Sequence, residues 1–145
     1  MKAGELCSRI VVTARREESV VEVARRMSQH DVGAVVVVEE REGVARPVGI
    51  VTDRDLVMRA LARGEPVACL VGDVMDANLL VAYEDDDVEA VLGKLRRRAV
   101  RRVPIVRRDG GLAGILTLDD IIEWISEELR DAATLIERQG KQVAT

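Results

Sequence analysis

The sequence predicts an α+β protein built from two copies of one strand–helix–strand–strand–helix (βαββα) unit. The heptapeptide GIVTDRD at 49–55 returns as GILTLDD at 114–120, and the stretch from Glu5 to Val38 aligns without a gap to Asp73 to Val106. The shift is 68 residues for the longer stretch and 65 for the heptapeptide. The difference falls in a polar, glycine-containing stretch, where a hairpin loop tolerates a change of length. We therefore expect a first repeat at 1–66, a second repeat at 67–128, and a helical extension and tail at 129–145.

Each repeat opens with a short apolar run followed by an amphipathic helical pattern. RIVVT at 9–13 and LLVAY at 79–83 predict the opening strands. Apolar residues then recur at the i, i+3, i+4, i+7 spacing of a helix, starting at Val20 in the first repeat and at Val88 in the second. Ser19 and Asp87 directly precede these residues and are suitable N-caps. We therefore expect a helix after each opening strand.

Two β-branched runs and a closing helix complete each repeat. AVVVV and VGIVT, then VPIV and LAGILT, show little alternation of polar and apolar residues, which predicts strands covered on both faces. The closing helices are expected at about 53–63 and from about 118 into the tail, with GKQVAT fraying. A repeat of this size buries too little surface to be stable alone. We therefore expect the two repeats to cover each other's sheets about a pseudo-twofold axis.

Composition argues against several functional classes. The chain is 48% hydrophobic and 33% charged with a net charge of −4, and it has one Trp, one Tyr and no Phe. This argues against nucleic acid as a partner. Without a long apolar run or a secretory signal pattern, we expect a cytoplasmic protein with no membrane partner. Cys7 and Cys69 stand alone and His30 is the single histidine, so we expect no metal site. No catalytic motif is present, so we do not expect an enzyme.

The duplicated phrase, as GIVTDRDL and GILTLDDI, together with VGDVM before the second copy and RRVPIV within it, resembles a tandem pair of cystathionine-β-synthase (CBS) domains. The resemblance covers about residues 5–128. It implies two clefts between the repeats, which in this family frequently bind AMP, ADP, ATP or S-adenosylmethionine. Ile50 and Ile115 match family positions that line the adenine slot. The family also implies a homodimer that forms a disc of four CBS copies, with a possible protein partner.

The repeated phrase places the start of a helix directly after a strand. Unpaired backbone N–H groups there favour a phosphate or another anion. Asp55 lies in the first helical turn, where its two oxygens suit the two hydroxyl donors of a ribose, and the hydroxyl of Thr52 can reach a phosphate oxygen. The same interpretation applies to Thr117, Asp119 and Asp120. The alternative is that Thr and Asp here only cap the helix.

The two copies differ in charge. Before its second strand the second repeat has Arg101 and Arg102, which match the phosphate-contacting basic pair of the family, whereas the first repeat has Gly33 and Ala34. Because arginine forks onto phosphate oxygens, we expect the cleft of the second motif to be the better phosphate site. Arg54, within the first motif, would partly compensate in the first cleft.

Two hypotheses for function follow. The first is a regulatory module that binds AMP, ADP, ATP or S-adenosylmethionine, requires no cofactor, and signals by a conformational or partner-binding change. The second is a dimeric interaction protein whose clefts bind no ligand. A shift in melting temperature with adenosine compounds would separate them.

Overall fold

The computed structural model describes residues 1–64 and 68–143. The predicted boundary between the repeats, at Pro66, and the last two residues of the tail lie outside these ranges. The elements, in chain order, are α1 (Ala3–Leu6), β1 (Thr13–Ala14), α2 (Val20–His30), β2 (Ala34–Arg41), β3 (Val44–Thr52), α3 (Asp53–Asp55, continued by a π-helical turn at Leu56–Ala60 and a 3-10 turn at Leu61–Arg63), α4 (Val71–Val74), β4 (Ala82–Tyr83), α5 (Val88–Arg98), β5 (Arg102–Val106), β6 (Leu112–Thr117) and α6 (Leu118–Val143).

The described strands form two three-stranded sheets, one in each repeat. Their orders are β1-β2-β3 and β4-β5-β6. In each sheet the first pair of strands is parallel and the second is antiparallel. The parallel pair requires a crossover connection, which α2 and α5 supply. The predicted α+β class and the predicted order of elements are confirmed.

The opening strands are shorter than the sequence predicts. β1 is Thr13–Ala14, so only Thr13 of the first apolar run lies in a strand, and β4 contains Ala82–Tyr83 of the second run. In the first repeat, residues 10–12 instead line a cavity between the repeats, and Ile10 is exposed. The apolar run of the first repeat therefore belongs mostly to a segment that passes between the two repeats, and not to a full strand.

The short helix that precedes each repeat packs against the other repeat. Ser8, after α1, exchanges two backbone hydrogen bonds of 2.9 Å with Ile115 of the second repeat. Asp76, after α4, makes the equivalent pair with Ile50 of the first repeat, at 2.8 and 3.1 Å. The core of the second repeat accordingly contains Ala3 and Cys7, and that of the first contains Val71, Val74 and Met75. This reciprocal docking is what a pseudo-twofold axis requires, and it joins the repeats into one packed body.

The glycines of the repeated phrase permit this docking. A β-carbon at Gly114 would lie 2.6 Å from both the Cys7 sulfur and the Ser8 carbonyl oxygen. A β-carbon at Gly49 would lie 2.6 Å from the Met75 sulfur. Both distances are too short for any other residue without movement, so the glycines are explained by close backbone approach.

The first helices of the two repeats begin differently. Ser19 caps α2 as predicted, since its hydroxyl oxygen accepts a hydrogen bond of 3.2 Å from the Glu22 amide. The carboxylate of Asp87 makes no such bond at the start of α5. It accepts instead from the ammonium group of Lys2 at 2.7 Å. Asp87 is therefore the N-cap residue of α5, as predicted, but its carboxylate pairs with the exchanged N-terminal segment instead of accepting a bond from the helix.

The closing helices also differ. The first spans the predicted 53–63 but changes from α to π and then to 3-10 geometry, ending at Gly64 in a left-handed conformation with φ of 79°. The second continues as one helix to Val143. The predicted fraying at GKQVAT is therefore wrong for residues 140–143. Trp124 of this helix packs against the core of the second repeat.

Candidate functional site

Both copies of the repeated phrase form the same hydrogen-bonded turn. The Asp55 amide donates to the Thr52 hydroxyl at 3.1 Å, and the Thr52 amide donates to Oδ2 of Asp55 at 2.9 Å. In the second repeat both equivalent bonds, between Thr117 and Asp120, measure 3.1 Å. These reciprocal bonds are a capping box, which satisfies two backbone donors at the start of each closing helix. The Thr and Asp of each phrase thus have a structural role whether or not a ligand binds.

The backbone donors at the start of α3 already have partners. The Asp53 amide donates to the Gly33 carbonyl at 3.0 Å and the Arg54 amide to Oδ1 of Asp53 at 2.8 Å. The Asp55 amide is held by Thr52 in the capping box. The expectation that free N–H groups of this turn hold an anion is therefore wrong for the first repeat. An anion here must be bound by side chains.

A cavity of about 480 Å³ lies between the first phrase and the second repeat. We call it the first cleft. It falls within the range of roughly 300–1,000 Å³ that is usual for small-molecule sites. Its lining residues come from the end of β3 and α3, from the segment after α4, and from the loop between α5 and β5: Ile50, Thr52, Asp53, Arg54, Asp55, Arg59, Asp76, Ala99, Val100, Arg101 and Arg102. A ligand in this cleft would contact both repeats.

Charged side chains of both signs line the first cleft, with an excess of one positive charge. Its lining contains four arginines and three aspartates. Arg101 donates to Oδ1 of Asp119 at 3.2 Å, and the Arg59 guanidinium lies 3.9 Å from Oδ1 of Asp55. The Asp55 side chain is 19% exposed, so it combines partial burial with an oxygen, Oδ1, that the capping box does not use. This oxygen is available to accept hydrogen bonds from a ligand.

The corresponding second cleft is smaller and mostly apolar. Its volume is about 230 Å³. It is lined by Ile10, Val11, Val12, Val32, Gly33, Ala34, Arg102, Ile115 and Thr117. Arg102 is the charged residue among these described lining residues. The volume lies below the usual lower end for ligand sites, roughly 300 Å³, so the second cleft as it stands offers less room and less charge than the first.

The basic pair does not lie where the sequence comparison puts it. Arg101 lines the first cleft, and Arg102 lines both clefts. The expectation that the second motif has the better phosphate site is therefore not matched by the geometry. The reason is packing: the loop before β5 belongs to the second repeat in sequence, but the pseudo-twofold arrangement brings its side chains against the phrase of the first repeat.

The acidic residues of the second motif lie outside the second cleft. Asp120 lines a separate surface pocket with Trp124 and residues of the N-terminal segment. Asp119 has a side chain that is 78% exposed and that pairs with Arg101. Of the predicted residues of the second motif, Thr117 and Ile115 are the ones that reach the second cleft. The first motif, by contrast, brings Ile50, Thr52, Arg54 and Asp55 together in one cavity.

Five residues that line the first cleft were not predicted from the sequence: Asp53, Arg59, Asp76, Ala99 and Val100. Arg59 follows Asp55 at i+4, a spacing at which helical side chains meet, and this signal was available. Its guanidinium is further positioned by a 3.3 Å hydrogen bond to the Val74 carbonyl. Asp76 reaches the cleft through its backbone pairing with Ile50, a contact between distant segments. No local pattern could have indicated that contact.

Among the residues that the structure describes, no group of three or more His, Cys, Asp or Glu side chains is arranged to hold a metal ion. No helix in the described ranges has both the length and the apolar character needed to cross a bilayer.

Comparison with known proteins supplies the family. The family model of the CBS domain matches twice, at residues 3–62 and 71–127. The chain belongs to the CBS-domain family. The two matched segments coincide with the two repeats, so the chain carries a tandem CBS pair.

Relatives and solved structures extend this finding. The CBS domain-containing protein YhcV of Bacillus subtilis is 33% identical over 132 residues, which cover 90% of this chain and 91% of YhcV. Protein MK0525 of Methanopyrus kandleri is 35% identical over 124 residues, 85% of this chain, but these span 62% of its own length. The CBS pair of protein MJ0100, crystallised with 5′-methylthioadenosine and S-adenosyl-L-methionine, superposes with a TM-score of 0.76 at 26% identity, covering 88% of this chain and 98% of that one.

Proposed function

We propose that this CBS pair is a regulatory module that binds an adenosine nucleotide in the first cleft. The observation that carries the proposal is the convergence of one partly buried carboxylate, Asp55, with four arginines in a cavity between the repeats. A carboxylate accepts hydrogen bonds from ribose hydroxyls, and arginines bind phosphate oxygens in forked geometry. The complex of MJ0100 with two adenosine compounds supports the same ligand class.

The charge of the cleft favours phosphate-bearing ligands over S-adenosylmethionine. Arg101 and Arg102 approach from one side and Arg54 and Arg59 from the other. An AMP, ADP or ATP phosphate placed among them would gain charge-assisted hydrogen bonds, whereas the cationic sulfonium of S-adenosylmethionine would not. Ile50 would pack against the adenine, as the family resemblance implies. The second cleft, with Ile115, Thr117 and one arginine, would accept at most an uncharged part of such a ligand without rearranging.

A nucleotide in the first cleft would change how the repeats are joined. Arg101 now pairs with Asp119, at the start of α6. A phosphate that engages Arg101 would compete with that ion pair and would tie α3 to the loop before β5. Ligand binding would thereby favour one relative arrangement of the repeats by the difference in its affinity for the two arrangements. A partner protein that contacts α6 could detect this change.

The test is calorimetric titration of the full chain with AMP, ADP, ATP and S-adenosylmethionine. We expect nucleotides to bind, and to raise the melting temperature, since a ligand at 100 times its dissociation constant adds about 2.7 kcal/mol to the free energy of unfolding. Asp55→Ala should weaken binding strongly and Asp120→Ala should not. If nucleotides bind and neither substitution changes the affinity, the assigned cleft is wrong.

A dimeric interaction protein without ligand is the second candidate. It is favoured by exposed apolar side chains on both closing helices, Val57 and Leu61 in the first repeat and Ile122 and Ile125 in the second. It is also favoured by the capping boxes, which account for the repeated Thr and Asp without a ligand. The absence of a melting-temperature shift with all four adenosine compounds would support it. Both candidates are compatible with the predicted cytoplasmic homodimer.

A further inference from the structure

Two equivalent residues adopt a left-handed backbone conformation where the first helix of each repeat ends. Asp31 follows α2 with φ of 51° and ψ of 51°, and Ala99 follows α5 with φ of 53° and ψ of 42°. In both repeats the amide of the next residue donates to the carbonyl five residues before it, at 3.0 and 3.1 Å. The two turns therefore share one backbone conformation and differ in their side chains.

Alanine is an unfavourable residue at this position. Glycine adopts the left-handed conformation without strain, and the short polar side chains of aspartate and asparagine tolerate it, whereas the β-carbon of alanine crowds the backbone. Helices therefore commonly end with glycine or asparagine here. Asp31 is a tolerated residue type and Ala99 is not. Because Ala99 is exposed, packing in the core does not explain its presence.

The location of Ala99 supplies a reason. It lines the first cleft together with Val100, Arg101 and Arg102 of the same loop. An aspartate at position 99 would add a negative charge to the wall that carries the two arginines, and this charge would repel a phosphate group. A glycine would give the loop more conformations, so the arginines would be held less firmly. Alanine avoids both effects and introduces backbone strain instead.

The equivalent loop of the first repeat has the opposite charge. It reads DVGA at 31–34, with one acid and no base, where the second repeat reads AVRR at 99–102, with two bases and no acid. Val32, Gly33 and Ala34 line the second cleft, and Asp31 directly precedes them. Among the residues that the structure describes, none forms a hydrogen bond or an ion pair with the Asp31 carboxylate. An unneutralised negative charge therefore lies next to the second cleft.

We propose that the residue at the left-handed position decides whether a cleft accepts a phosphate-bearing ligand. Ala99 admits phosphate to the first cleft, and Asp31 excludes phosphate from the second. Both roles rest on the proposed binding of a nucleotide in the first cleft. They also account for a residue type at position 99 that strains the backbone.

Calorimetric titration of the full chain with ATP tests the role of position 99. Aspartate and asparagine are both tolerated in the left-handed conformation and have almost the same size. Ala99→Asp should therefore fold like Ala99→Asn but bind ATP at least about tenfold more weakly, because it adds one negative charge beside the phosphates. Gln139→Glu adds the same charge on α6, outside the lining of both clefts, and should leave the affinity within about twofold. Ala99→Asn should also raise the melting temperature by about 2–4 °C, since it relieves the backbone strain.

The wild type distinguishes two kinds of failure. If ATP does not bind to the wild type, the proposed nucleotide-binding function is wrong. If ATP binds to the wild type, and binds to Ala99→Asp as tightly as to Ala99→Asn, the role of Ala99 is overturned while the proposed function stands. An equal loss of affinity in Gln139→Glu would also overturn it, because the net charge of the chain would then explain the effect.

A second pair of variants tests the role of Asp31. Gly33→Arg with Ala34→Arg gives the second cleft a basic pair of its own but keeps the acid. Adding Asp31→Ala to this double variant removes the acid as well. We expect the triple variant to bind a second AMP per chain, at least about tenfold more tightly than the double variant does. Equal affinities in the two variants, or no second AMP in either while both melt like the wild type, would overturn the role of Asp31.

Discussion

The two clefts of this CBS pair start from the same seven-residue phrase and have different chemistry. In each phrase a strand ends, and its glycine allows a segment from before the other repeat to pack closely against it. Thr and Asp of the phrase then form a capping box. Yet the first cleft measures about 480 Å³ and is lined by four arginines, and the second measures about 230 Å³ and is lined by one. The phrase therefore determines the local fold, and the segments that pack against it determine what can bind.

The difference arises from residues that differ between the repeats at equivalent places. Arg101 and Arg102 reach the first cleft from the second repeat, whereas the equivalent loop of the first repeat brings Gly33 and Ala34 to the second cleft. Asp55 is followed at i+4 by Arg59, whereas Asp120 is followed by Trp124, which packs into the core. Because of both sequence differences between the repeats, the second cleft has fewer positive charges than the first.

The largest expected effect is on nucleotide affinity. Arg101→Ala with Arg102→Ala should weaken ATP binding by at least about 100-fold, because the double variant loses two charge-assisted hydrogen bonds of roughly 1.5–3 kcal/mol each. Arg96→Ala with Arg97→Ala is the matched control, since it removes two positive charges from the last turn of α5 outside both clefts. The measurement is calorimetric titration. Equal losses in the two double variants would mean that general charge, not the first cleft, attracts the nucleotide.

The next effect compares the two glycines. Gly114→Ala should lower the free energy of unfolding by about 2–3 kcal/mol, because the new methyl group meets both the Cys7 sulfur and a backbone oxygen at 2.6 Å. Gly49→Ala should cost about 1–2 kcal/mol, because its closest neighbour is the flexible Met75 side chain and the nearest backbone oxygen is farther, at 3.0 Å. Urea denaturation measures both. A larger loss for Gly49→Ala would contradict the described approach of the crossing segments.

The third prediction separates capping from ligand binding. Asn in place of Asp keeps an acceptor oxygen for the capping box but removes the charge. Asp55→Asn should weaken nucleotide binding by about tenfold, since it reduces the acceptors offered to ribose hydroxyls. Asp120→Asn, which makes the same change outside the second cleft, should leave the affinity within about twofold. If Asp120→Asn also weakens binding tenfold, the second motif contributes to the site and the contrast between the clefts fails.

The smallest effect concerns stability and pH. Glu18 accepts bonds of 2.7 and 2.9 Å from Arg26, whose guanidinium lowers the pKa of this carboxyl below 4.5. At the equivalent place burial raises the pKa of Asp86, but the Tyr83 amide and the Lys94 ammonium outweigh it, so this pKa too is lowered, from 3.8. A lowered pKa gives stability that is present above the unfolded pKa and is lost as the pH falls through the folded pKa.

At neutral pH, Glu18→Gln should therefore lower the free energy of unfolding by about 1–2 kcal/mol and Asp86→Asn by about 1 kcal/mol. Both differences from the wild type should shrink once the pH falls below about 4. Thermal melts across this pH range measure them. Losses that persist unchanged in acid would show that the side chains act through packing rather than through their charge.

Much of the fold could be predicted from the sequence because it depends on local pattern. The spacing of Val20, Val23 and Met27 locates α2, and all three are buried on one face. The β-branched runs locate the central strands. The opening strands were predicted too long, since an apolar run also marks a segment such as residues 10–12 that crosses between repeats.

The candidate site was less predictable because it depends on contacts between distant segments. Thr52, Arg54 and Asp55 of the first phrase could be proposed as site residues from the repeat itself, and Ile50 from the family resemblance. The cleft that Arg101 lines could not be predicted from the sequence, since it depends on which repeat the loop before β5 packs against. The hydrogen-bond partners of the α3 amides could not be predicted either, because one of them is the carbonyl of Gly33, twenty residues away in sequence from Asp53.

The most direct test of the contrast between the clefts is a crystal structure of the full chain grown with ATP. We predict the nucleotide in the first cleft, with a ribose hydroxyl bonded to Oδ1 of Asp55 and phosphate oxygens bonded to Arg101 and Arg102. ATP bound instead beside Ile115 and Thr117, with its phosphates turned away from Arg101, would contradict the account.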